Sequence, residues 1–176
     1  MTLAPKELFS AKAIAERVEA MGREIGTSMP PDLVVVAVLK GGFVFAADLI
    51  RAVGRAGARP EVDFVMLESY REGTESSGRV VVRHDLEQPV AGRHVLLVDD
   101  ILESGRTLGF ARDLLKKRGA AQVRIAVLLD KPHKRKVELE ADFVGFDCPE
   151  VFVVGYGLDH AHRHRELPYI GTLSQR

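Results

Sequence analysis

Residues 94–108 have the sequence HVLLVDDILESGRTL, and this stretch decides the fold. The apolar run 95–98 predicts a buried strand that ends at the acidic pair Asp99 and Asp100. A short polar loop follows, and residues 105–118 are predicted to form a helix. A strand, a loop and a helix in this order are typical of α/β sheets, in which ligands bind at the carboxyl ends of the strands.

The loop 103–107, with the sequence ESGRT, is a candidate phosphate site. Its backbone N–H groups and the N-terminus of the following helix present partial positive charge at one point. Gly105 permits close approach of a ligand, and the hydroxyl groups of Ser104 and Thr107 add donors. The carboxylates just before the loop would repel a phosphate, so they suit ribose hydroxyl groups or Mg²⁺ bound to a second phosphate. The alternative is that the acidic pair only caps the helix.

Outward from this stretch, strand and helix patterns alternate along the chain. Apolar runs predict strands over 33–39, 62–68, 80–83 and 123–129, and helical spacing predicts helices over 5–27 and 43–53. Shorter strands are predicted over 141–145 and 151–154, and the polar segment 69–79 is predicted to be a loop. The alternation indicates one α/β domain over 1–176, with a largely parallel twisted sheet flanked by helices. We expect the N-terminal segment and residues 131–176 to form a small hood, and residues 69–80 a mobile flap.

Composition limits the classes of function that the chain can have. Hydrophobic residues make up 46% of the 176 and charged residues 28%, as in ordinary soluble domains. The net charge is zero, which argues against a long electrostatic contact with nucleic acid. The single cysteine, Cys148, excludes an intrachain disulfide and a cysteine-based zinc site; with no targeting or membrane segment, a cytoplasmic protein is expected. The absence of Asn and the excess of Arg over Lys fit a thermophilic source and a GC-rich genome equally.

The segment LLVDDILESGRTL resembles the phosphoribosyl pyrophosphate signature of type I phosphoribosyltransferases, and more narrowly that of the hypoxanthine-guanine phosphoribosyltransferases. Three further segments are similar to that family: VAVLKGGFVFAADL at 36–49, LESY at 67–70, and ADFVGFDCPEVFVVGYGLDHAHRHRELPYIG at 141–171. The resemblance covers nearly the whole chain. It implies the type I phosphoribosyltransferase fold and an enzyme of purine salvage that uses Mg²⁺. Such an enzyme transfers the phosphoribosyl group to N9 of hypoxanthine or guanine and yields IMP or GMP and pyrophosphate.

The resemblance implies roles for the residues at the phosphoribosyl end. Asp99 and Asp100 would lie beside the ribose hydroxyl groups and the metal-bound pyrophosphate, as catalytic groups and metal ligands. The peptide bond before Lys40 is typically cis in the family. Ser69 and Tyr70 would belong to the flap, which excludes water when it closes. The residues that would bind phosphate and pyrophosphate are Lys40, Gly41, Ser104, Gly105, Arg106, Thr107 and Arg165.

At the purine end, this sequence has Glu103 where the family usually has Asp, the proposed general base near N7. The side chain of glutamate is one methylene longer than that of aspartate. Either the loop shifts to make room for it, or a water lies between it and the base, or the transfer of the N7 proton matters less. Lys131 would donate to the purine O6, and Phe152 would stack on the base. Val153 would contact the base edge through its backbone, and Asp159 would be a metal ligand. Without the resemblance, Lys131 fits a surface lysine of the run KPHKRK, and the two residues at 152–153 fit an ordinary core strand.

Other functions stay open at this point. They are a xanthine-preferring phosphoribosyltransferase, a regulator that senses phosphoribosyl pyrophosphate and binds nucleic acid, and an inactive relative. The zero net charge and the lack of a basic domain disfavour the regulator. His160, His162 and His164 suggest a transition-metal site, but no acidic or cysteine partner has suitable spacing. Members of the family are usually homodimers or homotetramers, and small-molecule substrates are the expected partners.

Overall fold

The computed structural model describes residues 5–72 and 75–173. These ranges contain β1 (Lys6–Phe9), α1 (Ala11–Ser28), β2 (Val34–Leu39), α2 (Phe43–Arg55), β3 (Glu61–Glu72), β4 (Glu75–His84), β5 (His94–Leu102), α3 (Arg106–Lys117), β6 (Gln122–Asp130), β7 (Phe143–Asp147), β8 (Val153–Val154) and β9 (Ile170–Thr172), with a short 3-10 helix at Pro132–Lys134. None of the described helices is both long enough and apolar enough to cross a bilayer.

A six-stranded sheet with the order β4-β3-β2-β5-β6-β7 forms the centre of the molecule. Its strands pair in parallel, except for the antiparallel pair β3 and β4. Helices α1 and α2 cover one face of this sheet, and α3 covers the other. The central strands are therefore buried on both faces, which explains why their sequences are continuous apolar runs. The predicted α/β fold with a largely parallel sheet is confirmed.

The prediction of one helix over 5–27 is wrong at its beginning. Residues Lys6–Phe9 form a strand, and the helix begins at Ala11. Ser10 marks the boundary, because its hydroxyl oxygen accepts a hydrogen bond from the backbone N–H of Ala13 at 3.1 Å. This N-cap satisfies one of the N–H groups that the first helical turn leaves without an intrahelical acceptor.

The segment 69–79 differs from the predicted loop. Strand β3 continues to Glu72 and β4 begins at Glu75, so both arms of the segment are strands. The register pairs Ser69 with Val80 and Arg71 with Ser76 in an antiparallel hairpin. Backbone pairing between the two arms outweighs the weak strand propensity of their glycine and serine residues. Residues 73 and 74 of the predicted flap lie outside the described residues, as do the side chains of 69–79.

A second sheet with the order β1-β9-β8 joins the beginning of the chain to its last third. All of its pairs are antiparallel, and Lys6 lies opposite Thr172. The strands β1 and β9 were absent from the predicted elements, and the strand predicted over 151–154 is limited to Val153–Val154. Short strands of this kind depend on partners that are distant in sequence, which local periodicity does not reveal. The division of the chain into one domain with a hood stays a prediction.

Candidate active site

The carboxyl ends of the parallel strands β2, β5 and β6 open into a cleft of about 740 Å³. Nine of the residues predicted for the site line this cleft: Lys40, Gly41, Asp100, Glu103, Lys131, Phe152, Val153, Asp159 and Arg165. They come from four separate segments of the chain. The topology therefore brings together most of the predicted residues at the sheet edge where α/β proteins bind ligands.

The acidic pair lies inside β5, although the strand was predicted to end before it. Asp99 and Asp100 are 9% and 8% exposed, and Oδ1 of Asp99 accepts the backbone N–H of Asp100 at 2.9 Å. Burial raises the pKa of both carboxyl groups, and the charge of Asp100 raises that of Asp99 further. Asp100 lines the cleft, whereas Asp99 is not among the lining residues. The pair therefore offers one carboxylate to a ligand and keeps the other behind it.

The loop after β2 touches this carboxylate directly. The peptide bond between Leu39 and Lys40 is cis, as the resemblance implies. A Cβ atom added to Gly41 would lie 1.8 Å from Oδ2 of Asp100, far inside van der Waals contact. A Cβ atom added to Gly157 would lie 2.4 Å from the carbonyl oxygen of Gly41. The backbone at position 41 is therefore enclosed between a carboxylate and a second loop.

That second loop has an unusual backbone. Gly155, Tyr156 and Gly157 all have positive φ angles, of 99°, 50° and 98°. The hydroxyl group of Tyr156 donates a hydrogen bond to the carboxylate of Asp48 on α2. This bond compensates the cost of a left-handed conformation at a residue with a large side chain.

The turn at 155–157 positions Arg165, one of the cations that line the cleft. Arg165 donates to the carbonyl oxygen of Gly157 at 2.6 Å and pairs with Oδ1 of Asp159 at 2.8 Å. Its charge also opposes the rise in the pKa of Asp100, where burial has the larger effect. Arg165, Asp159 and Asp100 thus form one electrostatic group on the wall of the cleft.

The cleft is also lined by a buried lysine. Lys131 is 3% exposed, and its Nζ donates to the carbonyl oxygen of Val151 at 2.8 Å and to Oε1 of Glu103 at 3.1 Å. The Nζ of Lys134 lies 3.5 Å from the same carboxylate oxygen. The interpretation of Lys131 as a solvated surface lysine is therefore wrong. Burial of an ammonium group requires partners of this kind, and the longer side chain of glutamate supplies one.

The residue after Val151, Phe152, supplies an aromatic wall to the cleft and is 47% exposed. Its ring packs edge to face against the ring of His160, with the ring centroids 5.4 Å apart. An ordinary core position is therefore excluded for Phe152, whereas Val153 is buried in β8. The described residues contain no group of three or more His, Cys, Asp or Glu side chains that could hold a metal ion. A transition-metal site at His160, His162 and His164 is thus not found in that part of the chain.

The predicted phosphate loop lies directly beyond Glu103. Gly105 has a φ of 79° and precedes α3, and the hydroxyl oxygen of Ser104 accepts the backbone N–H of Arg106 at 3.3 Å. The residues Ser104 to Thr107 adjoin the cleft but are not among its lining residues. Ser69 and Tyr70 lie on β3, at the side of the cleft formed by Met66, Leu67 and Glu68.

Sequence reasoning missed several residues of the cleft. Met66, Leu67, Glu68 and Arg83 line it from the β3–β4 hairpin, and Lys134 lines it from the run KPHKRK. Apart from Lys131, the sequence assigns no role in the site to the residues of this run. Arg135 of the same run donates to two carbonyl groups of the phosphate loop region. Lys131 is buried and Arg135 is only 15% exposed, and both are hydrogen-bonded inside the molecule, so only part of the run lies at the surface.

A fold and a cleft of this kind fit a phosphoribosyltransferase, and comparison with known proteins identifies the family. Residues 6–161 match the phosphoribosyl transferase domain family, and the chain belongs to this family. The hypoxanthine-guanine phosphoribosyltransferase of Streptococcus pneumoniae R6 is 43% identical, over 97% of this chain and 93% of that protein. A crystal structure of a hypoxanthine phosphoribosyltransferase from Staphylococcus aureus superposes with a TM-score of 0.91, at 39% identity over 96% of this chain and 91% of that one.

A second kind of relative is much longer. The bifunctional protein TilS/HprT of Listeria monocytogenes serotype 4b is 48% identical over 96% of this chain. The chain spans only 26% of that protein's length. The similarity to this relative therefore concerns one part of it.

Proposed function

We propose that the protein transfers the 5-phosphoribosyl group from phosphoribosyl pyrophosphate to N9 of hypoxanthine and guanine, in purine salvage. One observation carries this proposal: the same cleft is lined by a buried lysine and by a buried carboxylate that a glycine loop encloses. The first suits a carbonyl oxygen of a base, and the second suits a sugar beside a pyrophosphate group. The relatives named as hypoxanthine-guanine phosphoribosyltransferases support the same substrates.

Base selection follows from the hydrogen bonds of Lys131. An ammonium group has three donors. In the described structure, two of them go to Val151 and Glu103, which leaves one for an acceptor in the cleft. The O6 atom of a 6-oxopurine is such an acceptor, whereas a 6-amino group would direct a donor at the lysine. A site that leaves polar groups unpaired rejects a ligand strongly, so adenine should be excluded.

At the phosphoribosyl end, the chain orients the sugar and compensates its charge. Asp100 would bind the ribose hydroxyl groups and stabilise positive charge at the anomeric carbon, with Asp99 behind it. Arg165 and the N–H groups near Lys40 and Gly41 would hold the departing pyrophosphate. Glu103 would accept the N7 proton as N9 attacks. The loop 104–107 would bind the 5′-phosphate, and the flap with Ser69 and Tyr70 would exclude water.

The donor set also fits Mg²⁺. Asp100 and Asp159 both line the cleft and present carboxylate oxygens, the ligands that Mg²⁺ prefers. Since no cluster of three such side chains exists in residues 5–72 and 75–173, the ion would take its other ligands from the pyrophosphate and water. When bound, the ion would neutralise charge on the leaving group. A cytoplasmic homodimer or homotetramer is the assembly that we propose.

The test is an assay of nucleotide formation from phosphoribosyl pyrophosphate with hypoxanthine, guanine, xanthine and adenine, with and without Mg²⁺. The proposal requires product from hypoxanthine or guanine, none from adenine, and loss of activity without the metal. Product from xanthine alone would replace it with a xanthine-specific enzyme. No product from any base would overturn it.

Two variants test the residue roles. Asp100→Asn should lower kcat by about 100-fold or more with unchanged circular dichroism, because it removes a charge that acts in the transition state. Glu103→Gln should alter the pH–rate profile, and an unchanged profile would remove Glu103 from the proton transfer. Asp113→Asn is the control, because it makes the same chemical change in an exposed ion pair at the surface. It should change neither kcat nor the pH–rate profile.

A further inference from the structure

Arg135 lies behind the loop that the proposed function assigns to the 5′-phosphate. Its Nη1 donates to the carbonyl oxygen of Leu102 at 3.0 Å and to that of Glu103 at 2.7 Å. Its Nη2 donates to Oδ1 of Asp130 at 2.5 Å, and the side chain is only 15% exposed. A buried arginine thus directs its charge at two backbone carbonyl groups and not at the cleft.

The backbone of the same segment continues this arrangement. The carbonyl oxygen of Leu102 also accepts the N–H of Lys131 at 2.9 Å. The carbonyl oxygen of Ser104 accepts the N–H groups of Lys136 and Val137, at 2.9 and 3.3 Å. Three successive carbonyl groups, of residues 102, 103 and 104, therefore all point towards the segment 131–137.

The direction of these carbonyl groups fixes the direction of the next N–H groups. In a planar trans peptide, the N–H of residue i+1 points opposite to the C=O of residue i. The N–H groups of residues 103, 104 and 105 are thus turned away from the segment 131–137. An anion held by successive N–H groups needs this common orientation.

Side-chain packing keeps the two segments in contact. A Cβ atom added to Gly105 would lie 2.8 Å from Cγ2 of Val137 and 3.2 Å from Cδ of Arg135. The loop therefore rests on the arginine stem as well as on its guanidinium group. Lys131 begins the same segment, so one segment contacts both Glu103 and the loop that the proposed function assigns to the 5′-phosphate.

We propose that Arg135 is a positioning residue that holds the phosphate loop in the shape required to bind a phosphate monoester. This inference rests on the proposed function. Arg135 touches no substrate; it acts through the carbonyl groups of Leu102 and Glu103. The competing explanation is that its pairing with Asp130 only stabilises the fold.

Ligand binding with and without the phosphate separates these explanations. The dissociation constants of IMP and inosine are measured by NMR titration on the full chain, and their ratio gives the contribution of the 5′-phosphate. Arg135→Gln should raise the dissociation constant of IMP at least tenfold, whereas that of inosine should change less than threefold. Arg135→Lys, which keeps a charged donor, should recover part of the loss. Arg118→Gln is the matched control, because it removes an Arg–Asp pair of 2.6 Å outside the site and should leave both constants unchanged.

The outcomes are distinct from those of the proposed function. A wild-type chain that forms no nucleotide would refute the function itself. Suppose instead that the wild type is active and that Arg135→Gln keeps the wild-type ratio of the IMP and inosine dissociation constants. This result would refute only the positioning role, whatever the stability of the variant. If the glutamine variant does not fold, Arg135→Lys decides: a ratio reduced at least threefold supports the role, and an unchanged ratio overturns it.

Discussion

Gly41→Ala is the substitution with the most direct geometric consequence in this molecule. The new methyl carbon would lie 1.8 Å from Oδ2 of Asp100, and ordinary contact begins at about 3.4 Å. The two groups must therefore separate by 3.4 − 1.8 = 1.6 Å. Asp100 lies within a central strand, so its backbone is fixed and the carboxylate itself must leave its position at the wall of the cleft.

The size of the effect follows from this displacement. Misplacement of a catalytic group by about 1 Å costs on the order of 10²-fold in rate. Forcing an extra methyl group into a packed site lowers stability by about 1–3 kcal/mol. We therefore expect kcat/KM for nucleotide formation to fall by about 100-fold or more, and the free energy of unfolding to fall by about 1–3 kcal/mol.

The assay is steady-state formation of IMP from hypoxanthine, with urea denaturation on the same preparations. Gly54→Ala is the matched control, since a Cβ atom there meets nothing within 4 Å and the position lies in α2. It should leave activity unchanged and raise stability by about 0.5–1 kcal/mol, because alanine favours helix over glycine. A Gly41→Ala variant with activity within threefold of wild type would refute the reasoning, as would an equal loss in the control.

Two further predictions concern buried polar groups. Burial and the charge of Asp100 raise the pKa of Asp99, so the folded chain keeps this proton after the unfolded chain has lost it. The contribution of Asp99 to stability is therefore most favourable at low pH and decreases as the pH rises from about 4 through the raised pKa. Asp99→Asn should remove this part of the pH dependence, which urea denaturation of both proteins between pH 4 and 8 measures. Tyr156→Phe removes the hydrogen bond to Asp48 while the left-handed backbone remains, and should lower the free energy of unfolding by about 1.5–3 kcal/mol in the same assay.

Each of these two predictions has a result that would contradict it. If Asp99→Asn and wild type showed parallel pH profiles, the folded carboxyl group would titrate as it does in the unfolded chain. If Tyr156→Phe were as stable as wild type, the hydroxyl group would contribute nothing to the turn at 155–157.

The elements that sequence patterns predicted well are those whose burial is local to their own sequence. The apolar runs of β2, β5 and β6 are buried on both sheet faces, and this requirement appears directly in their residues. Strand β1 fails this test, because its four residues are exposed or half-buried and its partner β9 lies at the other end of the chain. Ser10 was the available signal, since a serine before a helical pattern predicts an N-cap.

The candidate site shows the same limit. The carboxylates of 99 and 100 could be placed at the sheet edge, because they follow a predicted strand. The burial of Lys131 could not be predicted, since it depends on the carbonyl group of Val151 and on a glutamate 28 residues away. Arg135 was hidden for a similar reason: a basic run indicates a solvated surface unless the backbone groups that it faces are known.

The contact between Gly41 and Gly157 restricts how this protein can be redesigned. A Cβ atom at Gly157 would meet the backbone carbonyl oxygen of Gly41, and a Cβ atom at Gly41 would meet the carboxylate of Asp100, so neither position has space for a side chain. Libraries that vary this corner would yield mostly inactive clones. Altered base preference should instead be sought at Phe152 and Lys134, whose side chains are about half exposed at the rim and leave room for substitution.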